Sequence, residues 1–210
     1  FDDYQGRIAA QNQHQSVRND DMDFVYDLKM QDSTIVTSRP NLGRASQHFI
    51  DRMDEGTRKA WMQYYQPIID KFKKEKLCGK ELEIWKLQRY LQDYLATVKS
   101  VDDNVGRVLE YLDKNKLAEN TVVIYTSDQG FYLGEHGWFD KRFIYDESFK
   151  TPLLIQWPGV VEPGSKCEEM VQNLDFAQTF LQAAGIEAPD DMQGESIVPL
   201  LKGENDKWDR

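Results

Sequence analysis

The chain has 210 residues, which is enough to bury one substantial core. Its formal net charge is -10, so a nucleic-acid partner is not expected, because binding phosphates needs a surplus of Lys and Arg on one face. No apolar run reaches the roughly 18 residues that a membrane-spanning helix needs. Cys78 and Cys167 do not form a Cys-x-x-Cys pair, which disfavours a zinc site and leaves a disulfide between them open.

The first part of the chain predicts few regular elements. Residues 1–45 are polar and weakly periodic, and Asn12–Gln15 indicates a surface segment or a long loop. Ser38–Gly43 carries turn-forming residues. From Thr57 to Phe72, aromatic and aliphatic residues recur at helical spacing, and Pro67 is placed to kink that helix or to end its first half.

The clearest helix is predicted from Glu81 to Lys114. Eight apolar residues along it follow one another at steps of three and four, which places them on one face. They are Leu87, Leu91, Tyr94, Val98, Val101, Val105, Val108 and Leu112. Because strand-like sequence follows at once, we expect this face to pack on a sheet rather than to form a coiled coil.

Two strands and a further helix are predicted after it. Thr121–Thr126 and Pro152–Trp157 are short apolar runs, which is typical of strands buried on both faces. Asp175–Ala184 predicts a helix with Asp175 as its N-cap and Gly185 just after its end. This order predicts an α/β sandwich with a largely parallel sheet.

Between the two strands lies a segment, residues 127–142, in which charged and polar side chains alternate with glycines. Gly130, Gly134 and Gly137 would let its backbone turn sharply. Asp128 and Gln129 offer the carboxylate and carboxamide oxygens that calcium prefers, although calcium takes six to eight ligands and the others must come from elsewhere. Alternatively, Asp128 caps the following turn through its own backbone.

The other candidates in this segment are a histidine and two cations. His136 could be a substrate ligand, a proton carrier or a structural loop histidine. Lys141 and Arg142 could bind an anion or lie on a solvated rim. The residue types alone leave these alternatives open.

Several motifs stand in a fixed order between Thr121 and Gly159: Ser-Asp-Gln-Gly, Leu-Gly-Glu-His-Gly, Lys141, Thr-Pro-Leu-Leu-Ile and Trp-Pro-Gly. This series resembles the signature of the sulfatase family in the alkaline-phosphatase-like superfamily. The likeness covers residues 80–203, while residues 1–79 are less diagnostic. The Asp-Gln-Gly variant is similar to bacterial enzymes of the N-acetylglucosamine-6-sulfatase type.

The resemblance implies a sulfuric-ester hydrolase acting on a sulfated sugar, namely N-acetylglucosamine-6-sulfate in host glycans. It implies an alkaline-phosphatase-like sandwich, with a mostly parallel sheet between helices, and a periplasmic or secreted location. Asp128 and Gln129 are then calcium ligands, Lys141 contacts the sulfate as a catalytic residue, His136 is a second catalytic candidate and Arg142 binds substrate.

The sequence departs from the family pattern at the nucleophile. The family oxidises a Cys or Ser in a Cys/Ser-x-Pro-x-Arg motif to formylglycine, and neither Cys78 nor Cys167 begins such a motif. The family's paired upstream Asp ligands and its Pro-His loop are not recognisable either. We therefore expect residues 1–210 to be a partial catalytic domain that is inactive alone, with the formylglycine lying in a missing upstream segment.

Two other functions remain open. One is a phosphodiesterase or phosphonate hydrolase of the same superfamily, which shares the metal chemistry. The other is a non-catalytic remnant of the fold. The presence of Asp128, Gln129 and Lys141, together with all three glycines of the segment, argues against a remnant.

Overall fold

The structure, a computed structural model, describes residues 16–17, 21–204 and 208. The expectation for Asn12–Gln15 lies outside the described residues. The chain divides into two compact units, which are described one at a time. Unit 1 comprises residues 1–103 and 130–149, and unit 2 comprises residues 104–129 and 150–210. Within the described ranges, no helix is both long and apolar enough to cross a membrane.

Six α-helices follow one another along the described chain. They are α1 (Pro40–Asp51), α2 (Glu55–Glu75), α3 (Gly79–Lys114), α4 (Asp146–Phe149), α5 (Asp175–Ala183) and α6 (Val198–Leu201). The predictions of α2, α3 and α5 are confirmed to within a few residues. Helix α2 begins where Asp54 accepts the backbone N–H of Thr57 at 2.9 Å, and it continues through Pro67.

Helix α1 replaces the turn predicted at Ser38–Gly43. Its first residue is Pro40, whose fixed φ suits the first helical position. The N-cap residue Arg39 supplies no capping side chain. Instead, the buried carboxylate of Asp23 accepts the backbone N–H of Arg39 at 3.2 Å and the hydroxyl of Thr37 at 2.6 Å. A distant acidic residue therefore takes the place of a local cap.

The core of unit 1 is built from the segment before α1, from α2 and from Phe139. Its buried apolar members are Val17, Met22, Leu28, Met30, Tyr65, Ile69 and Phe139. Residues 21–30 thus contribute to the core, although the sequence of residues 1–45 is polar and only weakly periodic. The first half of α3 joins this core, since Trp85 packs on Phe72 with ring centroids 4.4 Å apart.

A buried ion pair lies beside this core. The guanidinium of Arg89, whose side chain is 4 % exposed, pairs with the carboxylate of Asp93 one turn along α3. The hydroxyl of Tyr65 donates to the same carboxylate at 3.1 Å. Burying an unpaired guanidinium is costly, so Asp93 must stay beside Arg89. Because Tyr65 of α2 donates to the same carboxylate, these contacts favour one alignment of α3 against α2.

The second half of α3 does not pack as predicted. Val98, Val101 and Val108 are 45 %, 46 % and 59 % exposed. The expectation that the whole apolar face packs on the sheet is therefore wrong for the described chain. Periodicity placed these residues on one face, but in the described chain Val98, Val101 and Val108 are exposed, and Val105 is only half-buried.

The four strands form two antiparallel pairs. Strands β1 (Val123–Thr126) and β4 (Leu153–Gln156) pair with Val123 opposite Gln156. Strands β2 (Tyr132–Leu133) and β3 (Phe139–Asp140) form a short hairpin. The predicted parallel sheet is thus not found among the described strands. A parallel pair needs a long crossover, usually a helix, whereas the connection from β1 to β4 holds the hairpin of β2 and β3 and the one-turn helix α4.

Strands β1 and β4 are also less buried than predicted. Tyr125 and Leu154 are 43 % and 65 % exposed, so these strands are not covered on both faces. Nine residues of unit 2 line a cavity of about 460 Å³. None of them is charged, and Ile124, Ile155 and Phe180 are among them. The lining of the cavity therefore offers no cation to pair with a sulfate.

Helix α5 in unit 2 begins at Asp175, which is its first residue and not its N-cap. The fully buried Asp175 carboxylate accepts the backbone N–H groups of Gln172 at 2.7 Å and of Glu195 at 2.9 Å. It thus joins two distant stretches of backbone. The chain at Gly194 passes so close to the start of α5 that a Cβ on Gly194 would lie 2.4 Å from the carbonyl oxygen of Leu174.

Candidate active site

The first candidate segment, in unit 2, is the turn that follows β1. The hydroxyl of Ser127 donates to the carbonyl oxygen of Gln129 at 2.8 Å and accepts the backbone N–H of the same residue at 3.4 Å. Ser127 therefore makes the backbone bonds that were one alternative for Asp128. The carboxylate of Asp128 is exposed, and no residue in the described part of the chain donates to it or pairs with it.

These two residues suit a hard cation in their chemistry. An unpaired carboxylate beside a carboxamide offers the oxygen donors that calcium takes. Across the described residues, no group of three or more His, Cys, Asp or Glu side chains is gathered closely enough to hold a metal. Asp128 and Gln129 therefore fit calcium as part of a ligand shell whose other members come from elsewhere.

The second candidate segment, in unit 1, is the hairpin of β2 and β3 with the loop after it. Its tip is a single 3₁₀ turn, Glu135–Gly137, closed by the Gly137 N–H donating to the carbonyl oxygen of Gly134 at 2.9 Å. Gly134 and Gly137 have φ values of 118° and 76°, which glycine alone adopts readily. The predicted sharp turns are confirmed at these two glycines, while Gly130 does not adopt a positive φ.

Lys141 and Arg142 follow the hairpin directly. Lys141 is half-buried, whereas the Arg142 side chain is 61 % exposed. The guanidinium of Arg142 lies 3.6 Å from the carboxylate of Asp140, the last residue of β3. Arg142 is therefore partly neutralised and lies on a solvated rim.

His136 stands at the tip of the hairpin among aromatic rings. Its ring centroid lies 5.3 Å from that of Tyr145 and 5.6 Å from that of Trp138. Its Nε2 is 3.1 Å from a carboxylate oxygen of Glu147, in α4. The sequence interpretation did not single out Glu147 or Tyr145. The sequence shows only that a carboxylate follows the histidine 11 residues later, which is weak evidence for a contact.

Tyr132, the first residue of β2 in the hairpin, is fully buried. Burial raises the pKa of its hydroxyl to about 12, and the nearby Glu147 carboxylate adds to the shift. Its hydroxyl donates to the carbonyl oxygen of Phe143 at 3.3 Å, within the loop that carries Lys141 and Arg142. Trp138 stacks on Phe143 with centroids 4.0 Å apart. The loop is therefore anchored to the hairpin, and Tyr132 stays neutral at physiological pH.

The predicted site residues fall into both units. Asp128 and Gln129 belong to unit 2, whereas His136, Lys141 and Arg142 belong to unit 1. Within unit 1, the hairpin and its loop hold the histidine and the two cations in one stretch of anchored chain. Cys78 and Cys167 are both free and exposed, so the disulfide left open by the sequence is not formed.

Comparison with known proteins agrees with the motifs. The family model described as "N-sulphoglucosamine sulphohydrolase, C-terminal" matches residues 134–210. The chain is 43 % identical over 208 residues to an N-acetylglucosamine-6-O-sulfatase from Bacteroides thetaiotaomicron. That match covers 97 % of this chain and 36 % of the relative, so the chain spans about a third of the relative's length.

Two solved structures are similar to the chain. One, described as a complex with its substrate D-glucosamine-2-N,6-O-disulfate, matches with a TM-score of 0.87 and 42 % identity, over 100 % of this chain and 43 % of that chain. A phosphonate monoester hydrolase from Silicibacter pomeroyi matches with a TM-score of 0.56 and 31 % identity, over 65 % of this chain and 26 % of that one. From these matches and the motifs of residues 127–159, the chain belongs to the sulfatase family.

Proposed function

We propose that the complete protein is a sulfuric-ester hydrolase that removes the 6-O-sulfate from a sulfated glucosamine, with N-acetylglucosamine-6-sulfate units of glycans as its substrate class. The observation that carries the proposal is the turn after β1, where Ser127 makes the backbone bonds and leaves the Asp128 carboxylate exposed. The names of the similar sulfatase and of the substrate-bound structure support the choice of sugar.

Asp128 and Gln129 are the residues of this chain that would hold calcium, through a carboxylate and a carboxamide oxygen. Calcium bound there supplies positive charge that polarises the sulfate. The proposed nucleophile is a formylglycine, which no Cys or Ser of this sequence is placed to provide. The chain's own contribution is therefore to bind the anion and to stabilise the charge that develops on it.

Lys141 is the residue proposed to stabilise that charge. A sulfate ester carries one negative charge, which spreads over the bridging and non-bridging oxygens as the S–O bond breaks. An ammonium held by an anchored loop stabilises this charge more strongly than it stabilises the ground state. Losing such a contact costs about 3 kcal/mol, or roughly a hundred- to a thousandfold in rate.

Arg142 and His136 have different proposed roles. The guanidinium of Arg142 is exposed and partly balanced by Asp140, which suits contacts with hydroxyl groups of the sugar more than with the sulfate. His136 is half-buried and bonded to a carboxylate, which suits a group that carries a proton. Because the substrate is a glycan, we also propose that the complete protein is exported to the periplasm or secreted.

A second candidate is hydrolysis of a phosphodiester or phosphonate ester. The similarity to the phosphonate monoester hydrolase favours it, because a metal with an anchored lysine would also bind a phosphonate. It is the weaker candidate, since that structure matches over 65 % of the chain and the substrate-bound structure over all of it.

The test is sulfate release by the complete, formylglycine-bearing protein saturated with calcium. We expect turnover of D-glucosamine-2-N,6-O-disulfate or N-acetylglucosamine-6-sulfate and little turnover of a phosphonate monoester. Lys141→Ala should lower kcat by roughly a hundred- to a thousandfold, whereas the exposed Lys150→Ala should change it less than about twofold. The 210-residue chain alone should release no sulfate above background.

Two results would reject this proposal. Faster turnover of the phosphonate than of either sulfate ester would favour the second candidate. A kcat for Lys141→Ala within twofold of the parent would remove the lysine from the mechanism. Calcium affinity gives an independent check, because Asp128→Asn should weaken it in the complete protein while the exposed, helical Asp113→Asn should not.

A further inference from the structure

The backbone of His136 is held in an unusual conformation. Its φ and ψ are 58° and 10°, in the left-handed region that side chains with a Cβ adopt at a cost of about 1 kcal/mol or more. The residue lies between Gly134 and Gly137, which already allow the chain to turn. A strained non-glycine residue at a hairpin tip needs side-chain contacts that hold it there.

The side chain of His136 has such contacts on two sides. The rings of Trp138 and Tyr145 pack near its own ring, and the Glu147 carboxylate lies 3.1 Å from its Nε2. The His136 and Glu147 side chains are 27 % and 28 % exposed. The contact is therefore shielded enough to persist, yet open enough for the imidazole to exchange protons with a ligand or with water.

The chemistry of the pair fixes which nitrogen carries the proton. A carboxylate can only accept a hydrogen bond, so Nε2 must carry hydrogen and donate to Glu147. In the neutral ring, Nδ1 is then the basic nitrogen, and it is the atom that can take up a proton. When the ring is protonated, the hydrogen bond to Glu147 becomes charge-assisted.

We infer that Glu147 is a positioning residue that fixes the orientation and tautomer of His136, so that Nδ1 is the nitrogen that exchanges a proton during sulfate-ester cleavage. The inference rests on the proposed function for its catalytic consequence. Glu147 touches no reacting atom in this scheme and acts through the imidazole alone. This arrangement is the one by which a carboxylate usually orients a catalytic histidine.

The first experiment measures the histidine ring in the 210-residue chain by nitrogen-15 NMR. The chain has three histidines, and His136→Asn identifies the signals that belong to residue 136. In the parent we expect a protected N–H proton on Nε2 of His136. In Glu147→Ala that proton should exchange with water about tenfold faster or disappear from the spectrum. Glu147→Gln, which keeps an acceptor oxygen, should have an intermediate effect.

Glu135→Gln is the matched control. Glu135 precedes His136 in the same turn, and its carboxylate accepts the backbone N–H of Leu133 at 2.6 Å rather than contacting the imidazole. The glutamine keeps that acceptor, so the ring signal of His136 should not change. A ring N–H that exchanges equally fast in the parent and in both Glu147 variants would overturn the inference, whatever the activity of the protein.

The second experiment measures catalysis by the complete protein. Glu147→Gln should lower kcat by about tenfold with KM changed less than twofold, since general acid–base catalysis contributes about 10²–10⁴ and a misoriented group keeps part of it. A loss confined to KM, or an unchanged kcat, would overturn the positioning role. If the parent itself fails to release sulfate, the proposed function fails, and the NMR result still decides whether Glu147 fixes the ring.

Discussion

The two halves of α3 carry the same apolar spacing but lie in different surroundings. In the first half, Trp85 packs on Phe72 and the buried Arg89 pairs with Asp93. In the second half, Val101 and Val108 are about half exposed. The spacing of three and four residues therefore identifies a helical face and does not show what lies against it. The exposure of each side chain, and not its spacing, distinguishes the packed half from the exposed half.

The largest effect should come from the packed half. Trp85→Ala removes an aromatic ring that contacts Phe72, and it should lower the free energy of unfolding by about 3 kcal/mol. Urea denaturation followed by circular dichroism measures this. Tyr111→Ala is the matched aromatic control on the same helix, because Tyr111 is 61 % exposed, and it should change stability by less than about 0.5 kcal/mol. Similar losses for both variants would contradict the comparison.

A second prediction compares two ion pairs with the same i, i+4 spacing on α3. Asp93→Asn leaves the buried Arg89 guanidinium without its carboxylate and should cost about 2 kcal/mol, less than a fully buried pair because Asp93 is 20 % exposed. Asp103→Asn removes the partner of Lys99 at the surface and should cost less than about 0.5 kcal/mol. Equal losses in the free energy of unfolding, measured by urea denaturation, would show that burial does not determine how strongly each pair stabilises the fold.

Acid should destabilise unit 1 through Asp23, whose carboxylate binds the residues just before α1. Burial would raise the pKa of this carboxyl, but hydrogen bonds from Thr37 and from backbone N–H groups outweigh burial and hold the pKa below its ordinary value. The stability from Asp23 is therefore present above pH about 4 and is lost as pH falls through the lowered pKa.

Asp23→Asn should remove this part of the pH dependence. The urea midpoint, measured from pH 7 to pH 3, should then fall less steeply in the variant than in the parent. Identical slopes in the two proteins would show that another carboxylate causes the acid sensitivity. Asp51→Asn, at the exposed end of α1, serves as the control.

The smallest effect is expected in the exposed half. Val108→Asp places a carboxylate where the side chain is 59 % exposed, so the charge remains in water, and the free energy of unfolding should change by less than about 1 kcal/mol. Ile69→Asp, at a residue 1 % exposed in α2, should by contrast cost several kcal/mol or prevent folding. A cost of several kcal/mol at Val108 would mean that this face is covered in solution.

Local patterns predicted much of the structure correctly. Helices α2, α3 and α5 follow from their periodicity, and the glycine turns of the hairpin follow from residue type. The roles of Asp23 and Glu147 could not be predicted, because their partners lie 16 and 11 residues away along the chain and only folding brings them together. The predicted parallel sheet was not confirmed, because the apolar pattern of a strand is the same whether its partner runs parallel or antiparallel.

At the candidate residues, only local structure was predicted in part. A turn follows β1 and glycine turns form the hairpin, whereas the roles of Asp128, Gln129, His136, Lys141 and Arg142 stay predictions. The cap predicted at Asp175 was wrong, because that carboxylate accepts backbone N–H groups from before α5 and from residue 195. Its hydrogen-bond partners could not be predicted, because one of them lies 20 residues further along the chain.

The close approach at Gly194 has a genetic consequence. A single base change in a glycine codon that does not create a stop codon or another glycine codon always introduces a residue with a Cβ. At position 194 that atom would meet the Leu174 backbone at 2.4–2.7 Å, with φ at 92°. Missense variants there should therefore be depleted in any natural population of this gene, and a saturation library should retain glycine alone.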